Sequence, residues 1–294
     1  MEFIAAKQIL SAWASKDSWF GINYTMNIYK GCCHGCIYCD SRSECYKVKD
    51  FDTVRAKQNA IEILNSELKS KRRKGVVGTG AMSDPYNPFE EKYKLTRNAL
   101  ELINRYNFGS AIATKSDLIT RDIDILKEIK KHSPVLVKMT VTTADDELCK
   151  KVEPNVAVTS KRLDSIKKLS SEGIFTGILL MPILPFIEDR EENILKIIEL
   201  AYKNGVKFIY PAFGVTLRQN QRDFYFNKLD ENFKGIKQMY IKEYGFSYEC
   251  PSKHSSDLWK LFKKECDKLG ILYRMKDIIE AYKNDYEVKQ ISLF

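Results

Sequence analysis

Gly31-Cys32-Cys33-His34-Gly35-Cys36-Ile37-Tyr38-Cys39 sets three cysteines at C-x3-C-x2-C spacing, with an aromatic residue immediately before the third. Thiolates are the protein ligands of iron-sulfur clusters, and a four-iron cluster is ordinarily held by four of them. Three on one tight loop would leave one iron open to a small chelating molecule. Two other metal readings stay open on spacing alone. A structural zinc needs four Cys or His ligands, and His34 or Cys45 could complete such a set. Cys45 could also be the fourth thiolate of an ordinary cluster. Unrelated core cysteines fit poorly, because three of them beside two glycines follow neither helix nor strand periodicity. Cys33, adjacent to Cys32, is assigned a structural role.

The chain has 294 residues, enough for one barrel-type domain or two smaller ones. Apolar residues at 44% and charged residues at 30% are globular values that select no function. Of the eight cysteines, five fall between 32 and 45 and the others are scattered at 149, 250 and 266, which is no disulfide framework. A reducing cytosol suits that usage. No apolar leader opens the chain and no run approaches the roughly 18 apolar residues of a membrane span, so a cytoplasmic protein without membrane contact is expected. Lys and Arg exceed Asp and Glu by 48 to 39, a net +9 that permits a polyanionic partner. The basic run 69–74 reads as the solvated end of a helix, where cations favour the dipole.

Short β-type runs alternate with amphipathic helical stretches, the pattern of an α/β fold with a parallel sheet. Strands are expected over 24–29, 75–82, 110–114, 135–141, 174–180 and 207–213. The helices between them include one after the cap Asp52, with Val54, Ala60, Ile61, Leu64 and Leu68 inward, and one begun at Thr96. Three more cover 120–131, 161–171 closing at Gly173, and a stretch from the cap Asp189 to Asn204-Gly205. Six β/α units make a partial (β/α)6 TIM-like barrel over 1–218, and the helical, aromatic segment 219–294 reads as a C-terminal extension that closes it. Barrel active sites gather at the C-terminal ends of the strands. The cysteine loop, Gly78-Thr79-Gly80, Thr114-Lys115-Ser116, Thr140 to Thr143 and Met181-Pro182 all fall at such ends.

The cysteine loop with its aromatic resembles the signature of the radical S-adenosylmethionine (SAM) superfamily. Lys30-Gly31-Cys32, Ser83-Asp84-Pro85-Tyr86, Thr114-Lys115-Ser116 with Arg121-Asp122, Thr142-Thr143, Glu153-Pro154 with Arg162-Leu163, and Met181-Pro182-Ile183-Leu184-Pro185 together resemble its spore photoproduct lyase-like branch. The likeness spans about residues 24 to 220. It implies that Cys32, Cys36 and Cys39 hold a [4Fe-4S] cluster whose open iron takes SAM, that an external electron donor such as flavodoxin or ferredoxin reduces it, and that a partial barrel carries the site. It further implies that Lys115 reaches the SAM carboxylate, and that Ser83 with Thr140 or Thr142 contacts the methionine or ribose portions. Tyr38, Gly78, Thr79, Gly80, Arg162 and Met181 complete the candidate SAM-binding set. Glu153 and Arg162 could equally form a structural ion pair.

Two departures bear on the reaction. The photoproduct-repairing lyases resemble one another in a hydrogen-donating cysteine just before Ser-Asp, where this chain reads Ala81-Met82, and the position after the third cluster cysteine is Asp40 instead of tyrosine. Repair activity itself is therefore not carried over. Cys45, Cys149, Cys250 and Cys266 are candidates for a displaced hydrogen donor or redox partner, each read first as a small buried hydrophobe; Cys250, in the aromatic segment Tyr248-Glu249-Cys250-Pro251, is the first to test. Arg218 and Arg222, followed by Phe224-Tyr225-Phe226, combine phosphate-pairing and base-stacking side chains and mark a candidate nucleic-acid or nucleotide contact. The rival classes are a radical peptide- or protein-modifying enzyme and a non-catalytic iron-sulfur or zinc module. His34 reads as a loop residue, and no G-x-S-x-G, P-loop or dinucleotide fingerprint is present.

Overall fold

The structure, a computed structural model, describes residues 1–12 and 19–286. Six parallel strands, Tyr24–Met26, Val76–Thr79, Gly109–Thr114, Val135–Thr140, Phe175–Leu180 and Phe208–Pro211, pair side by side in chain order. Leu10–Ala12 adds an antiparallel edge before the first. Helices Ala60–Ser70, Leu95–Arg105, Ile123–Lys130, Thr159–Ser171 and Glu191–Lys203 fill the crossovers. The result is an open six-unit α/β barrel, as the alternation of the sequence predicts.

All six residues of Val135–Thr140 are buried, because the strand is covered on both faces. Val137 and Met139 pack outward among Leu126, Ile129, Leu163 and Ile166 of the helices. Leu136 turns inward to a lumen cluster of Phe20, Ala111, Leu179 and Phe208. Phe20, in the short 3-10 turn Trp19–Gly21, lies 5.5 Å in ring-centroid distance from both Phe208 and Tyr210, filling the side that eight strands would have closed. Helix Met275–Lys283 covers that side, with Ile278 and Tyr282 in the same cluster and the Tyr282 hydroxyl donating to the Phe20 carbonyl at 2.6 Å.

Several local expectations are replaced. Asp52 caps no helix; its carboxylate receives Arg42, and Val54 leads into the strand Arg55–Lys57, which joins Glu2–Ile4 and Tyr29–Lys30 in a separate small sheet. The first helix starts after Asn59, with the expected Ala60, Leu64 and Leu68 buried. Thr96 sits inside its helix and donates its hydroxyl to the Pro85 carbonyl, and Asp189 accepts from Ser252 instead of capping. Each side chain found a tertiary partner that a local pattern cannot contain.

Beyond the sixth strand, Gly214–Thr216 pairs antiparallel with Glu249–Pro251 across helices Gln221–Asn232 and Ile236–Tyr244. Helix Ser255–Leu269 packs on Glu191–Lys203, and Leu272 extends the barrel edge by accepting the Ile209 amide at 2.9 Å. Residues 287–294 of the expected extension lie outside the described residues.

The lumen tolerates no added atom beside Phe208. A Cβ on Gly177 would meet its ring at 2.1 Å, so Gly177→Ala should lower the unfolding free energy by about 1–3 kcal/mol, measured as a fall in denaturant midpoint at unchanged m-value.

Candidate active site at the cysteine loop

The loop is shaped by two glycines in the left-handed region. Gly31 has φ +80°, and a Cβ there would lie 2.3 Å from the Thr53 carbonyl; Gly35 has φ +71° and packs against Pro154. Backbone bonds then fasten the loop to its surroundings: the Cys32 amide donates to Phe51 at 2.7 Å, the Ile37 amide to Val152 at 3.0 Å, and the Asn155 amide to His34 at 3.1 Å. The cysteines are thereby held over the strand ends.

Cys32, Cys36 and Cys39 are free thiols lining one cavity of about 150 Å³ together with Gly80, Ser83, Asp84, Ala113, Lys115 and Thr140. Among the described residues no three His, Cys, Asp or Glu side chains gather at a single-ion position. Three thiols around a shared space have the donor chemistry of iron-sulfur ligands. Burial, then the Asp84 carboxylate, push the Cys32 thiol up to about 12, and burial raises Cys36 well above its ordinary value. Burial therefore favours the protonated form of both thiols.

Beneath the loop lies a buried ionic cluster. Glu153 receives the Tyr38 hydroxyl on Oε1 and the Arg162 guanidinium on Oε2 at 2.6 Å, with the Lys115 ammonium 3.9 Å away. Arg162 also donates to the carbonyls of Ala157 at 2.6 Å and Thr140 at 2.8 Å. Burial alone would raise the Glu153 carboxyl, but Arg162 and Lys115 hold it below its ordinary range. A second anchor is Asp84. It accepts the Tyr86 amide at 2.8 Å, the Thr114 hydroxyl at 2.6 Å and the Lys115 amide at 2.8 Å, with His34 Nδ1 at 3.7 Å. His34 also lines a larger cleft of about 630 Å³, so it forms the wall between that cleft and the cysteine cavity.

Of the sequence-derived candidates, the three cysteines, Gly80, Ser83, Lys115 and Thr140 come together in the cavity. Tyr38 lies just behind it, its ring 5.6 Å from Lys115 Nζ. The others sit elsewhere. Gly78 belongs to a strand and its bare face admits Ile22, while Gly80 admits Asn27, so the glycines there make room for protein side chains. Thr79 accepts the Ala113 amide, Arg162 is wholly engaged by protein atoms, and Met181 packs in the lumen cluster. Thr142 donates to Glu188 at 2.7 Å. Cys250 is buried in a cluster with Tyr225 and Tyr240 and does not line the cysteine cavity. Arg222 donates to the carbonyls of Leu217, Gly245 and Ser247, which makes it a brace for a turn; Arg218 stays at the surface beside Tyr248, Cys45 and Asp40.

The radical SAM superfamily model matches residues 26–198. The protein belongs to the radical SAM superfamily. Its cofactors are accordingly SAM and a [4Fe-4S] cluster. An uncharacterised protein of Methanocaldococcus jannaschii is 35% identical over 174 residues, covering 58% of this chain and 64% of that protein; one of Mycobacterium bovis is 29% identical over 209 residues, covering 69% and 61%. The chain thus spans less than two thirds of the length of these relatives. Spore photoproduct lyase complexed with dinucleoside spore photoproduct superposes with a TM-score of 0.67 at 14% identity, covering 92% of this chain and 80% of that one. That likeness is one of fold.

Glu188 went unread in the sequence. It is fully buried, its carboxylate accepting Thr142 and the Leu184 amide at 3.0 Å, and burial pushes it up to about 8. A folded-state value raised above the unfolded one stabilises the fold at low pH, and that contribution is lost as pH climbs toward 8. Denaturation of Glu188→Gln beside the native chain should therefore show the difference in stability moving toward the glutamine form by roughly 1–3 kcal/mol between pH 5 and pH 9.

Proposed function

We propose that this enzyme performs reductive SAM cleavage, with Cys32, Cys36 and Cys39 as the cluster ligands, and directs hydrogen abstraction at a nucleic-acid or nucleotide substrate. The observation that carries the reading is the single cavity shared by three thiols, Lys115 and Thr140. Held by Cys32, Cys36 and Cys39, a reduced cluster would supply the electron for reductive cleavage of SAM. The protein's own residues bind and orient. Lys115, its amide fixed by Asp84 and its ammonium facing Glu153, pairs with the SAM carboxylate. The Ser83 and Thr140 hydroxyls address the methionine or ribose portions. Glu153, Arg162 and Asp84 act as positioning residues, because their contacts run to the loop and strand ends that carry the cavity.

The substrate assignment is supported by the chain's net charge of +9 and by Arg218 at the surface, its guanidinium 5.0 Å from the Tyr248 ring. Cation and ring together suit a phosphate and its base. An external one-electron donor such as flavodoxin or ferredoxin completes the cycle.

Anaerobic reconstitution followed by reduction in the presence of SAM tests the chemistry. The native chain should release 5'-deoxyadenosine, and Cys36→Ala should lose both its bound iron and that product; iron retained at the native level would refute the ligand assignment. Lys115→Met should raise the KM for SAM about tenfold or more, the worth of one charge-assisted bond. Labelled single-stranded DNA or RNA should bind with an affinity that falls as salt rises and weakens in Arg218→Ala. Salt-insensitive binding would count against a phosphate contact.

A further inference from the structure

Inside the barrel is a lysine with no acceptor among the described residues. Leu136, Lys138 and Thr140 alternate onto the inner face of one strand. Leu136 joins the lumen cluster, and Thr140 lines the cysteine cavity. Lys138, between them, is 1% exposed. Among the described residues its ammonium meets no carboxylate, carbonyl or hydroxyl; its partner is the Phe20 ring, 4.5 Å from Nζ. The residues beside it in the sheet are Ala113 and Gly177, which cannot answer its charge. Ala113 itself lines the cysteine cavity. Lys138 therefore sits beside that cavity without lining it, next to it through Ala113 across the sheet and Thr140 along its own strand.

The other cations of the site, half-buried Lys115 and buried Arg162, are matched, since both face Glu153. A ring face is weaker compensation than a carboxylate. Neither the cysteine loop nor the ionic cluster needs this amine, and an alkyl side chain would fill the same volume. A buried charge that the described residues leave unanswered is one that a ligand can answer.

We propose that Lys138 is a substrate-binding residue beside the cysteine cavity, where it receives an oxyanion of the substrate, a phosphate or a carboxylate. The assignment rests on the proposed use of that cavity and names the chemistry of the group that enters beside it. Burial lowers the amine to about 7, and the inward groups around it, Ala113, Leu136, Thr140, Gly177, Phe20 and Phe208, carry no charge of their own. The amine is thus poised to take a proton along with an incoming anion.

Trace acetylation of the reconstituted holoenzyme with acetic anhydride across a pH series, read by peptide mass spectrometry, tests the assignment without relying on turnover. Lys138 should label in the folded protein with a midpoint near 7, below those of the surface lysines. Inorganic phosphate or acetate, added separately at tens of millimolar, should slow that labelling severalfold and leave the other lysines unaffected; protection by phosphate points to a nucleotide-type group, protection by acetate to a carboxylic acid. Labelling that appears only on denaturation, or that neither anion slows, would overturn the proposal. Lys138→Met should raise Tm by about 2–4 °C by removing an uncompensated charge, and a fall in Tm would show that the amine holds the lumen together and overturn it as well. Release of 5'-deoxyadenosine by the native holoenzyme is measured in parallel. Its absence would defeat the radical reading while leaving the labelling result intact, and unprotected labelling with normal release would do the reverse.

Discussion

The ionic cluster centred on Glu153 is the constraint on which the site depends. The cysteine loop, the strand ends at Lys115 and Thr140, and the helix Thr159–Ser171 have no common backbone ladder, yet one carboxylate is tied to all of them through Tyr38, Lys115 and Arg162. Burying such charges is costly unless each is paired and its remaining hydrogen bonds are made. Here they are: Arg162 spends its other donors on two carbonyls, and Glu153 uses both oxygens. Removing one member would leave another uncompensated, a loss of about 3–5 kcal/mol in buried pairs. The arrangement gives the loop a single position relative to the barrel, which hydrophobic contact alone would not specify.

Asp84 solves a related problem with hydrogen bonds. A loop after a strand end needs its backbone donors satisfied, and Asp84 takes the Tyr86 and Lys115 amides while receiving the Thr114 hydroxyl. Lys115 is therefore fixed at its amide by one carboxylate and faced at its ammonium by another. Such pre-orientation reduces the rotamer freedom a long side chain would lose on binding.

The fold was legible because strand and helix periods differ and every unit repeats both. The run 135–141 reads as continuous apolar strand because it is buried on both faces, and Ala60, Leu64 and Leu68 keep helical spacing around an unexpected start. The meeting of the three cysteines in one cavity was legible because their spacing is local in sequence. What local pattern could not carry was the choice of partner. Asp52, Thr96 and Asp189 all have the composition of helix caps, and each is taken by a side chain or carbonyl distant in sequence or outside its own helix. Gly78 looks like part of a ligand-approach turn and instead makes way for Ile22, while Gly80 makes room for Asn27 and also lines the cavity. Glu188 offered no signal at all, since a lone glutamate in a proline-rich loop gives no hint that it will be wholly buried.

The barrel interior is graded along its axis, and the grading follows from the sheet register. Phe208 stands beside Gly177 and fills the space that glycine leaves, so the lower lumen is aromatic and closed. One residue pair higher, Thr140 replaces an apolar side chain and the cavity opens under the cysteines. Lys138 is level with Phe208, and Thr140 with Tyr210, so the polar side chains of this strand face rings across the lumen. A side chain inward on a strand cannot turn to solvent without a register shift that would expose Val137 and Met139 to the lumen and strip them from the helices. Amphipathic layering thus fixes where chemistry can occur before any single residue chooses what chemistry it is.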